Sequence, residues 1–430
     1  MKQLERFLVG ILLVVMAGIV IHAPLTVWLG TVWPQWSEVI KAWKELLMAV
    51  ALVLLIVLAV RRKMADALLR DRVMQLALVF AGIHFLMIGI FEGNLHAAGS
   101  GLLIDLRFVL YFVLVYGTVK LFPQYRMLFV RVFVGGAAVV IGFALLQLFV
   151  LPKDILAHIG YSKQTIAPYL TVDQNPDYVR INSTLRGPNP LGAYVMIVLA
   201  LLVAYVAKYG RKLQRNRQLW LIAAAAAGGL IIGTSYSRSS LLAVIAAVIV
   251  VAMATSSRKV RRHLIVGMLS AIVVAAVALF ALRDNTVVAN LVFHDDPTSG
   301  GSVNSNEDHA SSLVEGIKRL VTQPLGAGVG STGSASLGTD KPLIIENQFL
   351  FVAHEVGWAG LAILLWLFVE VMRRLWQRRA SVLALGTFAS GCGLVVVGLL
   401  LPVWTDDTTS IIWWGLAGVA ITTGPRGKKR

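Results

Sequence analysis

The sequence predicts an all-α, polytopic membrane protein, and three observations predict it. Of its 430 residues, 57% are hydrophobic and only 14% are charged, too few charges to cover a water-soluble domain. Apolar runs of about 20 residues, the length that crosses a hydrocarbon core, recur along the whole chain. The 39 lysines and arginines are not spread evenly but gather in the polar segments between alternate runs.

Twelve spans are expected within a single transmembrane helical domain covering 1–430, at 7–30, 39–60, 73–91, 102–121, 128–151, 189–208, 218–234, 239–255, 264–282, 347–371, 381–402 and 410–424. Lys2 and Arg6 precede the first run, which is long and lacks a small-residue cleavage signature, so it reads as a span rather than a signal peptide. With the N-terminus in the cytoplasm, the inner segments hold Arg61, Arg62, Lys63, Arg70 and Arg72, then Lys120 and Arg126, then the basic clusters 208–217, 258–262, 373–379 and 426–430. Only Glu5, Asp66, Asp71 and Glu370 are acids beside them. The positive-inside rule therefore puts both termini in the cytoplasm. It also accounts for the net charge of +17 with membrane lipids, and no nucleic acid, as the implied partner. Cys392 is the only cysteine, so no disulfide framework is possible. No Cys, His, Asp or Glu group has metal-ligand spacing, and no metal or other cofactor is expected.

The same orientation places two long loops, 152–188 between spans 5 and 6 and 283–346 between spans 9 and 10, on the outer face. Short outer turns fall at 33–36, 92–101, 234–238 and 404–409. Trp33, Trp36, Trp404, Trp413 and Trp414 read as interfacial indoles.

Basic residues on the outer face run against the charge bias and each needs its own reason. Arg186 stands in Leu185-Arg186-Gly187-Pro188-Asn189-Pro190, where two prolines preset a rigid helix entry. A guanidinium held there can grip an anion through paired hydrogen bonds; a headgroup anchor is the plain alternative. Arg238 lies in the tight connection Ser235-Tyr236-Ser237-Arg238-Ser239 and either faces a cavity or snorkels to the interface. Within spans, Lys41 and Glu45 are four apart and expected to neutralise each other, and Lys44, Asp105 and Arg107 read as buried pairing. Glu346, where the loop becomes a helix, is either an N-terminal cap or a general base. His309 in the loop and His354 inside the helix are the other titratable candidates. Glu315, Lys318 and Arg319 have helical spacing. The glycines of Gly326-Ala327-Gly328-Val329-Gly330 follow no strand and precede no Gly-Lys-Ser/Thr, so they read as a compact turn and not a nucleotide loop.

Taken together, the Arg-Gly-Pro-Asn-Pro-Leu-Gly turn, the Ser-Tyr-Ser-Arg-Ser turn, and a late outer loop closing on Pro-Leu-Gly-x-Gly-x-Gly and then Glu-Asn-Gln-Phe-Leu resemble the O-antigen ligase and polymerase superfamily. The likeness is concentrated in roughly 180 to 360. It implies an enzyme that takes a glycan from undecaprenyl diphosphate at the outer face of the bacterial cytoplasmic membrane. The glycan would pass to an acceptor hydroxyl, on a growing glycan (a polymerase) or on lipid A-core or another acceptor (a ligase). By position, Arg186 and Arg238 match the arginines that hold the lipid diphosphate. Glu346 falls where the ligases carry a histidine, a departure that favours the polymerases. His309, Asn347, Arg319 and Arg180 are the further substrate contacts the resemblance implies, with 283–346 as the active-site lid. The rival class is a transporter or flippase of lipid-linked glycans, which would show two related halves and helices broken at the midplane; neither is visible in the sequence.

Overall fold

The computed structural model describes residues 1–91, 93–172, 175–283, 285 and 305–422. The helices are α1 (Lys2–Gly18), α2 (His22–Val32), α3 (Ser37–Lys41), α4 (Trp43–Arg61), α5 (Ala65–Leu69), α6 (Arg72–Ile90), α7 (Leu95–Leu121), α8 (Arg126–Phe149), α9 (Pro188–Tyr209), α10 (Arg215–Thr234), α11 (Arg238–Thr255), α12 (Arg258–Ala281), α13 (Ser305–Thr322), α14 (Gln348–Gln377), α15 (Val382–Gly398) and α16 (Asp407–Ile421). Among the described residues, nine helical stretches are long and apolar enough to cross a membrane. The other three expected spans coincide with α12, with 24 residues, and with α15 and α16, with 17 and 15.

The centre of the bundle is α16, every residue of which from Thr408 to Ile421 is buried. A helix apolar on all sides needs neighbours on all sides. α7 packs along it most extensively, with α15, α9, α14 and α8 around it. Its tryptophans, together with Trp404 in the turn before it, correct the sequence reading: Trp404, Trp413 and Trp414 are not interfacial but buried. They stack on one another and on Phe108, Phe112 and Phe368, with ring centroids 5.1–6.3 Å apart. Trp33 and Trp36 do remain exposed.

Two spans are broken, which the sequence did not reveal. The first passes through a short 3-10 turn, Ile19–Ile21. Carbonyls at that turn are taken by side chains distant in sequence, Thr184 Oγ1 donating to Val20 O at 2.6 Å and Thr408 Oγ1 to Ile19 O at 3.1 Å. The second break is in α14, where Gly357 adopts φ 68° and ψ −172°. The turn 324–330 fills it: Ala327 N donates to His354 O at 2.6 Å, Gly328 N to Glu355 O at 3.2 Å, and Trp358 N to Pro324 O at 2.9 Å. A Cβ on Gly357 would come within 2.6 Å of Pro324 O. The glycine-rich run is thus the compact turn expected, and its task is to satisfy a helix break.

The 152–188 loop contains an antiparallel two-stranded ribbon, β1 (Leu170–Val172) and β2 (Asn175–Arg180), with Leu170 opposite Arg180. Within 283–346, the described part beyond Arg283 and Asn285 is α13, the turn 324–330, a 3-10 helix at Gly333–Gly338 and an irregular return to α14. Arg319 Nε donates to Glu315 Oε1 at 2.7 Å, one helical turn apart as the spacing predicted. The basic cluster 426–430 lies outside the described residues.

Candidate active site

The entry to α9 is rigid before Arg186 is reached. Ser183 donates its hydroxyl to Val140 O at 2.7 Å and its amide to Gln147 Oε1 at 2.7 Å, and Leu185 is buried. Gly187 caps the helix and Pro188 and Pro190 occupy its first turn, where a missing N–H costs nothing. Arg186 projects from this fixed stretch, exposed, with no hydrogen bond or ion pair to any described residue. Arg180 lies in the same corner, its Nε donating to Ser235 O at 2.9 Å and its Nη2 to Asn189 Oδ1 at 2.8 Å. It thereby ties the turn before α11 to the turn that starts α9. Arg238 is the first residue of α11, and Ser237 and Ser240 hydroxyls meet at 2.9 Å where α11 packs against Gly192 of α9. Three arginines and two helix N-termini therefore lie close together, an arrangement whose positive charge favours an anion.

Arg186 opens onto a cavity of about 210 Å³ lined by Asn189, Pro190 and Ala193 on one side and by Leu401, Pro402, Val403, Thr405, Asp406 and Thr409 on the other. That volume is below the usual range for a drug-sized ligand and suits one small polar group rather than a whole glycan. The second wall is held in place from behind. Trp404 N donates to Gln348 Oε1 at 2.7 Å, Asn347 Nδ2 to Leu399 O at 2.8 Å, and Arg107 Nη2 to Thr405 O. Asp407 Oδ2 sits among His22 Nε2 at 3.0 Å, Lys44 Nζ at 3.3 Å and Arg107 Nη1 at 3.8 Å. Asp406 faces the cavity and caps α16, accepting from Thr409 N at 2.7 Å. Burial, and then the Asp407 charge beside it, raise its carboxyl above the ordinary value.

The expected site residues divide. Arg186, Arg180 and Arg238 share one corner, although of the three only Arg186 lines the cavity. Glu346 is partly buried at the start of α14, its amide donating to Ser312 Oγ of α13 at 2.9 Å. It does not cap that helix: Asn347 does, its Oδ1 accepting from Phe349 N and Leu350 N at 3.0 Å each. The Asn347 carboxamide is thus engaged in structure on both its oxygen and its nitrogen. Arg319 is paired with Glu315. His309 falls in α13, and its side chain lies outside what is described. His354 is buried, and both its ring nitrogens are without a partner among the described residues.

Lys44, Asp105 and Arg107 are buried beside opposite charges or a histidine, as expected, but Lys41 and Glu45 do not meet. Lys41 meets Glu38 at 2.8 Å, because α3 ends at Lys41 and the chain re-enters helix only at Trp43, breaking the four-residue spacing to Glu45. Lys44 takes Glu45 instead, at 3.2 Å. The residues missed from the sequence are Asp406, Asp407 and His22. An adjacent acid pair directly before an apolar run was the signal for the first two; His22 gave none, since the break that exposes it is set by packing. No protein-family model matches the chain, and no match to a curated protein was found.

Proposed function

We propose that this chain is a glycosyltransferase of the bacterial cytoplasmic membrane, with twelve spans, both termini in the cytoplasm and its site on the outer face. It transfers an undecaprenyl-diphosphate-linked glycan to an acceptor sugar hydroxyl, as a polysaccharide or O-antigen polymerase. The observation that carries this reading is Arg186, partnerless among the described residues on a rigid helix entry and facing a carboxyl across a small cavity. Arg186 and Arg238 would grip the diphosphate and stabilise the charge that develops as it leaves. The acceptor oxygen attacks the anomeric carbon, the sugar–oxygen bond to the diphosphate breaks, and the hydroxyl proton passes to a carboxylate. That base is either Glu346, by its position at the α14 entry, or Asp406, by its place in the cavity wall. Displacement in one step inverts the anomeric centre, and the segment 283–346 restricts water. Transport of the lipid-linked glycan is the second reading, favoured by the two broken spans.

The test incubates purified protein with undecaprenyl-diphosphate glycan and separates lipid-linked products by length. A ladder is expected, lost in Arg186→Ala and Arg238→Ala and in whichever of Glu346→Gln and Asp406→Asn removes the base. Transfer only to a separate acceptor would identify a ligase instead. Glycan crossing a liposome bilayer with no bond changed would identify a transporter.

A further inference from the structure

A second polar centre lies where α6, α7 and α14 meet, and the reaction above makes no use of it. His84, Asp105 and Glu355 are 1%, 6% and 1% exposed. His84 Nδ1 faces Phe80 O at 2.9 Å, and since a carbonyl only accepts, Nδ1 carries a proton. The variable nitrogen is Nε2, 3.5 Å from Asp105 Oδ2. The Asp105 carboxyl adjoins that of Glu355. Glu355 Oε1 accepts from Thr332 N at 3.4 Å, whereas Oε2 is buried with no donor among the described residues. Two ionised carboxyls can only accept, so adjacent buried carboxyls repel each other unless a proton lies between them.

We propose that His84, Asp105 and Glu355 form a proton-binding site inside the bundle, with one proton shared by the two carboxyls beside the imidazole. One proton between the two carboxyls removes one of two like charges that burial would otherwise have to accommodate side by side. A metal ion does not fit, because no group of three His, Cys, Asp or Glu among the described residues is spaced to hold one. The charged neighbours are few: Asp105 adjoins Glu355 and His84 adjoins Asp105, while on the next residue His354 is under the influence of the Arg319 and Glu315 charges of α13. Glu355 also ends the helical turn before the α14 break. Its carbonyl takes Gly328 N and its carboxyl takes Thr332 N. Proton occupancy is therefore tied to docking of 324–332: losing the shared proton drives Glu355 from Asp105 and loosens the segment that fills the break. This inference stands apart from the glycosyltransferase reading.

Infrared difference spectroscopy of the purified full-length protein, between neutral and alkaline pH, tests it. A protonated-carboxyl C=O band is expected at neutral pH and lost in alkali. It should be absent in Glu355→Gln and absent or shifted in Asp105→Asn. Glu355→Gln, which imitates the protonated acid, should also remove the pH dependence of thermal unfolding over that range. Absence of the band in the unsubstituted protein overturns the proposal without recourse to any variant. So does a band that survives both substitutions. Stabilisation by sodium in place of protons at fixed pH would likewise overturn it, making the cluster a cation site.

Discussion

The charge of Arg186 is unanswered by any described residue, whereas at the opposite end two arginines are tied into pairs. Arg62 meets Glu5 at 3.2 Å, and Arg374 meets Asp71 and Glu370 at 2.8 Å each. A charge left exposed on a stiff support is available to a ligand at little ordering cost. Because Arg186 supports no contact within the fold, Arg186→Ala should leave thermal stability within about 0.5 kcal/mol. In the elongation assay the same substitution should lower the rate about 100-fold or more, the usual effect of removing one preorganised charge donor. Arg186→Lys should recover part of that, since lysine supplies the charge without the fork. Asp406 is its counterpart, a carboxyl kept next to the cavity by its own helix cap.

At the scale of elements, the helix entries and the breaks do different work. The α9 entry was legible because Gly187, Pro188 and Pro190 restrict the backbone locally, whatever the surroundings. The α14 break was not, because Val356 and Gly357 sit in an ordinary apolar pattern, and the strain is resolved only by the distant turn 324–330. For the same reason Glu346 was legible as a loop-to-helix boundary, but the choice of Asn347 as cap was not. Gly357→Ala should destabilise the protein by roughly 1–3 kcal/mol, from the positive φ and the displaced turn. Thermal unfolding in detergent would check this, and an unchanged midpoint would mean that α14 straightens without penalty. The pairing of Asp407 with His22, Lys44 and Arg107 draws on four helices, so no local pattern could announce it.

Over the whole molecule, polar chemistry is divided between two ends of an apolar bundle. The end assigned to the cytoplasm by its basic residues carries staples. Asp71 accepts from Lys120 at 2.8 Å and Tyr116 at 2.6 Å, and pairs with Arg374. Burial works against its ionisation, but those hydrogen bonds and the charges of Arg374 and Lys120 prevail and hold the carboxyl at about 2, below its ordinary 3.8. The folded value is depressed, so the stability Asp71 supplies is present above its ordinary value and is lost as pH falls toward about 2. Unfolding midpoints measured down that range should drop for the unsubstituted protein and drop less for Asp71→Asn, which starts lower. The opposite end carries the cavity and its arginines. This division was visible in the sequence as charge asymmetry, whereas the burial of α16 and its tryptophans was not, because periodicity cannot distinguish an interfacial indole from a core one.

The measurement that bears most directly on the account is binding of undecaprenyl diphosphate, carrying no sugar, to the purified protein and to Arg186→Ala. A charge-assisted hydrogen bond contributes about 1.5–3 kcal/mol, so the substitution should weaken binding roughly ten- to a hundred-fold. Equal affinity of the two proteins would contradict the assignment of this cavity as the diphosphate site.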